Sequence, residues 1–177
     1  MLIRPETPAD VDAVREVVAR AFGDHADHVL TMLDALRRDP AWVDGLSLVA
    51  VDDAVVGHVL LTRVTVASAR GPVPALTLSP LAVDPVAQGR GIGTALVAAA
   101  LDAASAAGWP LVVLEGDPRY YGRRGFVAAE PLGLPSPSPL IPAGAWQVAL
   151  LPAHEPWMTG PVRLSAPLLA VNDLARG

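Results

Sequence analysis

Between Ala82 and Gly108 the chain reads AVDPVAQGRGIGTALVAAALDAASAAG, with glycines at 89, 91 and 93 and an arginine at 90. A strand-like apolar segment enters this turn, and an alanine-rich segment of high helical propensity leaves it. A helix N-terminus carries about four unpaired backbone N–H groups and the positive end of the aligned peptide dipoles. An anion such as pyrophosphate binds there if no side chain blocks its approach to the backbone. Gly89, Gly91 and Gly93 clear that approach, and Arg90 adds a positive charge. A tight strand-to-helix turn alone asks for one glycine; three alternating ones point to an anion.

Two familiar phosphate turns fit less well. A P-loop needs lysine and then serine or threonine after its last glycine, whereas Gly93 is followed by Thr94 and Ala95. A dinucleotide turn is the closer rival, because Glu115 follows the glycines by about twenty residues, after a strand. Its third glycine is missing in both registers, where Thr94 or Leu96 stands. Asp84 to Gln88 also separate the strand from Gly89, whereas a dinucleotide turn begins at the strand end.

Other reactive residue types form no cluster. His25 and His28 share a helix face with no further ligands near them in sequence, so no metal site is expected. His58 has apolar neighbours and reads as a hydrogen-bonded structural histidine. Ser79 lacks the G-x-S-x-G setting of a serine nucleophile. Trp146 and Trp157 flank the C-terminal strands, where they fit either a substrate pocket or the core.

The elements that position the turn alternate along the chain. Thr7 and Pro8 start a helix whose apolar face is Val11, Val14, Val17, Val18 and Ala21. A second helix is predicted over 25–38, with Val29, Met32, Leu33 and Leu36 on one face. LSLVAVDDAVVGHVLLTRVTV reads as two strands joined at Asp52 and Asp53, and ALTLSPLAV as a third. A helix follows from Gly91 to Ala107, then the strand LVVLE, the short helix PRYYGRR and the strand FVAA. That order over 76–129 predicts a right-handed crossover and a largely parallel local sheet. Residues 131–142 form a proline-rich connector, and WQVALL and VRLSA supply closing strands. Pro80 interrupts an otherwise central strand, so either the strand bulges there or it begins at Leu81.

The whole chain bounds these readings. Its 177 residues suit one domain, and 52% hydrophobic with 18% charged residues marks a globular protein. Without cysteine there is no disulfide, thiolate nucleophile or thiolate metal site. The start MLIRPETPAD is unlike a signal peptide, and aspartates interrupt every long apolar run. A soluble cytoplasmic protein with no membrane partner is therefore expected. The net charge of −5 argues against a nucleic-acid partner and is compatible with a cationic substrate.

LAVDPVAQGRGIGTAL is similar to motif A of the GNAT superfamily of N-acetyltransferases, whose pattern Gln/Arg-x-x-Gly-x-Gly/Ala is met by Gln88, Gly91 and Gly93. GDPRYYGRRGF resembles the Tyr-x-x-x-Gly-Phe element of motif B, with Tyr121, Gly125 and Phe126. The close match covers residues 76–127 and looks most like a branch of bacterial acetyltransferases. This resemblance implies an α/β fold of one domain over residues 1–177, its mixed sheet flanked by helices and splayed between the fourth and fifth strands. It implies acetyl-CoA in the cleft and no metal. The pantetheine arm would pair with the strand from Leu81 through Ala82 to Val83. The pyrophosphate would rest beyond Gln88, on the amides of Gly89, Arg90, Gly91, Ile92, Gly93 and Thr94.

The activity implied is transfer of the acetyl group to a primary amine by direct attack, the amine belonging to a small molecule, peptide or protein. In the family pattern the tyrosine four residues before the glycine protonates the departing thiolate, which makes it Tyr121 here. Tyr120 then packs or lines the acceptor pocket. Many relatives carry a glutamate base on the fourth strand, but ALTLSPLAV has no carboxylate. Glu115 is the alternative, on the face of Leu111 and Val113 if its strand alternates; a water chain is the other. A non-catalytic acyl-CoA-binding module and a nucleotide-dependent oxidoreductase are the rival classes, and a homodimer is compatible with all three.

Overall fold

The computed structural model describes residues 1–174, with side chains up to residue 170. Its central sheet runs in the order β1 (Leu2–Pro5), β2 (Ser47–Asp52), β3 (Ala54–Ser68), β4 (Gly71–Val83), β5 (Leu111–Glu115), β7 (Trp146–Leu150) and β6 (Val127–Ala128). A short β8 (Val162–Arg163) pairs with the far end of β3. Five helices accompany it: α1 (Val11–Phe22), α2 (Ala26–Leu36), α3 (Ile92–Ala106), the single turn α4 (Pro118–Tyr121) and α5 (Ala166–Leu174).

Both faces of the sheet are covered, which explains why β3 is buried at six consecutive positions, Gly57 to Thr62, with Val59, Leu60 and Leu61 apolar in a row. Val59 and Leu61 point to one face, where they pack with Ile92, Leu96 and Val97 of α3. Leu60 points to the other, against Val14, Val17 and Val18 of α1 and Leu33 and Leu36 of α2. Alanines at 100 and 104 leave room for α3 to lie on the strands while keeping helical propensity high. Deleting a side chain as buried as Leu96 would cost about 2–5 kcal/mol.

Among the described strands only β4 and β5 pair in parallel, at Leu76 with Val112 and Thr77 with Val113. The expected local sheet is therefore less parallel than its strand and helix order suggests. β7 inserts between β5 and β6, antiparallel to both, because the chain returns through the proline-rich connector before closing the sheet. Beyond Thr77 the two parallel strands part. At the same level Val59 faces Leu81 and Leu61 faces Leu78, so Ser79 and Pro80 bulge opposite the single residue Leu60. The strand thus continues through Pro80 and does not begin at Leu81.

β1 and α5 lie outside the sequence expectations, and β4 begins four residues earlier than ALTLSPLAV. β1 is only four residues long, and its partner β2 supplies the pairing. Pro72 and Pro74 fit in β4 because that stretch pairs with β3 alone.

Candidate active site

The glycine turn closes the gap between β4 and α3. Asp84 caps it, accepting from the Val86 amide at 3.2 Å and from Arg20 Nε on α1 at 2.8 Å. Gly89 and Gly91 have φ of 75° and 81°, a left-handed backbone that side-chain-bearing residues rarely adopt. Where their Cβ atoms would stand there is open space. Gly93 differs from both. It is helical, and a Cβ there would overlap the hydroxyl of Tyr120. Two of the glycines bend the chain and the third admits a neighbour.

That neighbour is part of a stack over the start of α3. The Arg124 guanidinium lies 3.5 Å from the Tyr120 ring centroid and donates to Thr94 Oγ1 from Nη2 at 2.6 Å. It also donates to the Tyr120 carbonyl oxygen. Arg90, expected to supply the positive charge, instead pairs with Asp52 at 2.6 Å on the β2–β3 turn. Sequence reasoning missed Arg124; the signal was its place in GRRGF, one residue before Gly125.

A cavity of about 730 Å³ lies where β4 leaves β5. Leu81 and Val83 form its strand wall, Gln88, Gly89, Gly91, Ile92, Gly93 and Thr94 its floor, and Asp117, Tyr120, Tyr121 and Arg124 its far side; Arg90 does not line it. The Asp84 amide donates to Val56 on β3, so by alternation the backbone groups of Val83 point the opposite way, into the gap. Gln88 Nε2 already reaches the Val83 carbonyl at 3.1 Å. The side chain of Ala82 does not line this cavity; it is buried on the other face with Val49 and Leu60.

Tyr121 packs edge-to-face on Tyr120 and Phe126, with ring centroids 4.9 and 5.7 Å away. It fits only because residue 116 is glycine, since a Cβ there would overlap its ring. Burial, helped by Tyr120 and opposed by Arg124, pushes the phenol up to about 12. It therefore stays protonated at working pH.

Tyr121 and Leu81 also line a second cavity of about 280 Å³, with Phe22, Val29 and Met32 from the helices on the opposite face. Where β4 and β5 part, these two residues thus border a cavity on each face of the sheet. Glu115 lines this second cavity and a third of about 320 Å³, which it shares with Ile141 and Trp146. Leu111 and Val113 belong to the same face, as strand alternation predicts. Trp146 borders this pocket, whereas Trp157 lines a separate 420 Å³ depression with Trp109, away from the glycine turn.

His58 is fully buried and hydrogen-bonded at 2.9 Å to Ser47, in keeping with a structural role. Among the described residues no group of three or more His, Asp or Glu could hold a metal ion. No helix among them is long and apolar enough to cross a membrane.

A split mixed sheet with a helix N-terminus beside the split and a half-buried phenol between two cavities is the arrangement of an acyltransferase of the family that matches this chain. The acetyltransferase (GNAT) domain family matches over residues 2–129, so the chain belongs to the GNAT acetyltransferases. It is 34% identical over 165 residues to the uncharacterized N-acetyltransferase YjhQ of Escherichia coli (strain K12), covering 90% of this chain and 89% of that one. The crystal structure of E. coli YhbS in complex with CoA superposes with a TM-score of 0.83 at 30% identity, covering 95% of this chain and 91% of that one. A GNAT acetyltransferase from Brucella melitensis in complex with acetyl-CoA gives 0.74 at 30% identity, covering 94% and 97%.

Proposed function

We propose that the protein moves the acetyl group of acetyl-CoA directly to a primary amine. One observation carries this reading: Leu81 and Tyr121 border two cavities on opposite faces of the sheet, so donor and acceptor can meet between them. The CoA and acetyl-CoA complexes of the two structural relatives support the choice of donor.

In this reading the pyrophosphate rests on the amides of residues 89–94, with Arg124 as the cation beside them. The pantetheine arm pairs with the backbone of Leu81 and Val83, which β5 leaves without a strand partner. The amine nitrogen bonds to the thioester carbonyl carbon, the C–S bond breaks, and the nitrogen gives up a proton. Glu115, on the acceptor side, takes that proton directly or through water.

Tyr121 donates a hydrogen bond to the departing sulfur. A thiol near ~8.5 is a far stronger acid than this phenol, so outright proton transfer to the thiolate is uphill. The phenol supports the charge as it forms and need not surrender its proton.

The test is thiol release from acetyl-CoA across a panel of amines, with the acetylated product identified by mass. Amine-dependent release is expected. A protein that binds acetyl-CoA but releases thiol with none of them would overturn the transfer reading.

A further inference from the structure

We propose that Gln147, on the closing strand β7, is a positioning residue that sets where the Tyr121 hydroxyl stands. The inference rests on the transfer reading above, in which that hydroxyl meets the departing sulfur.

Gln147 is a polar side chain in an otherwise apolar strand. Its exposure is 1%, and Trp146, Val148 and Ala149 around it on β7 are buried as well. By register it stands opposite Leu114, on the face that holds Val112, Ala149 and Phe126. Leucine would suit such a place, because a buried amide costs stability unless it is hydrogen-bonded. Gln147 Nε2 donates to the Gly116 carbonyl at 2.9 Å and, more weakly, to that of Ala145 at 3.5 Å. Both partners are acceptors, so the nitrogen and not the oxygen of the amide must face them.

Gly116 is the residue at which β5 leaves the sheet. Its amide donates to the Ala145 carbonyl at 2.9 Å, so β7 holds this residue twice, by its backbone and by Gln147. Asp117 comes next, and its carbonyl oxygen accepts from the amides of Tyr120 and Tyr121 at 3.0 Å. A Cβ on Gly116 would stand 2.4 Å from Cε2 of Tyr121, so residue 116 is also the wall on which that ring rests. The backbone and the ring contact both carry the position of Gly116 to the phenol. Catalytic groups are sensitive to such placement: a shift of about 1 Å can cost about 10²-fold in rate.

Gln147→Met keeps the length of the side chain and removes the donor. Its kcat should fall about tenfold, with the dissociation constant of acetyl-CoA held. In a Tyr121→Phe background no hydroxyl is left to place, so the same change should cost less than about twofold. Gln147→Glu is the rescue, because a protonated carboxyl still donates to Gly116 and an ionised one does not. Its rate relative to the wild type should therefore fall as pH rises. The chain has two tyrosines, so ring-labelled tyrosine NMR, assigned with Tyr120→Phe, reads the position of Tyr121 without turnover. Its signals should move in Gln147→Met. A wild-type kcat in Gln147→Met, unmoved Tyr121 signals, or an equal loss in the Tyr121→Phe background overturns this inference and leaves the transfer reading intact. If Gln147→Met does not fold, Gln147→Glu decides, and a rate ratio independent of pH overturns the inference. Acetyl-CoA binding without thiol release by any amine overturns the transfer reading, and this inference with it.

Discussion

The Arg124 guanidinium is clamped between the Tyr120 ring, 3.5 Å from its centroid, and Thr94 Oγ1 on the first turn of α3. A cation so held loses little freedom on meeting a phosphate, unlike Arg90, which already has Asp52 as its partner. Arg124→Gln should therefore weaken acetyl-CoA binding about 10- to 100-fold, the scale of one charge-assisted hydrogen bond. Arg90→Gln should cost less than about threefold, because its ion pair is exposed. Calorimetry on both variants checks this, and equal losses would move the phosphate away from Arg124.

The glycines should separate by what each substitution breaks. Gly91→Ala places a side chain at φ 81°, a strain of about 1–2 kcal/mol that appears as a lower Tm. Gly93→Ala keeps a helical backbone but displaces Tyr120, so its main effect should be on acetyl-CoA affinity. Melting and binding curves for the pair distinguish the two. A reversed pattern would mean that the stack over α3 is unimportant.

Tyr121→Phe keeps the ring packing and deletes one hydrogen-bond donor. Turnover should fall about 10²- to 10³-fold with acetyl-CoA affinity nearly unchanged. Because burial raises this phenol to about 12, the wild-type profile should show no loss from its ionisation up to about pH 10. The same change at Tyr120 should act mainly on acetyl-CoA binding. Equal losses of turnover from the two changes would contradict the assignment of Tyr121.

Glu115→Gln should depress turnover of an identified amine, with acetyl-CoA affinity held. Normal turnover in the variant assigns the proton to water.

Acid should unfold the protein through a buried network outside the active site. His58 Nε2 donates to Ser47 Oγ, which donates to Glu6, and Arg37 stands 2.6 Å from the same carboxylate. Burial pushes Glu6 up, but hydrogen bonds from His58, Ser47 and Arg37 outweigh it and lower the carboxyl to about 2. Burial lowers His58, against the pull of Glu6. In both cases the unfolded chain binds more protons, so stability rises with pH. The contribution of His58 is lost as pH falls below about 6.5, and that of Glu6 between about 4.5 and 2. Glu6→Gln should flatten the acidic part of a Tm-against-pH curve; an unchanged slope would exclude Glu6 as its source.

The glycine turn and the tyrosine pair were legible because both depend on local spacing. Gly89, Gly91 and Tyr121 lie where motif and helix rules put them. Arg90 points away from the turn and Arg124, which had no expected part, lies over it for a reason no spacing contains: Asp52, distant in sequence, sits beside one, and Tyr120 underlies the other. The bulge at Ser79 and Pro80 could be suspected from the proline, but its position opposite Leu60 is a matter of strand pairing. The acceptor side was least readable, since Phe22, Ile141 and Leu168 come from three segments that share no motif.

The gap between β4 and β5 has a consequence for traffic. Donor and acceptor would enter by separate doors, on opposite sides of one sheet, so neither has to leave before the other arrives. Initial rates should then yield intersecting double-reciprocal lines, the mark of a ternary complex. Each product can also depart through its own door, and free CoA should compete with acetyl-CoA without competing with the amine.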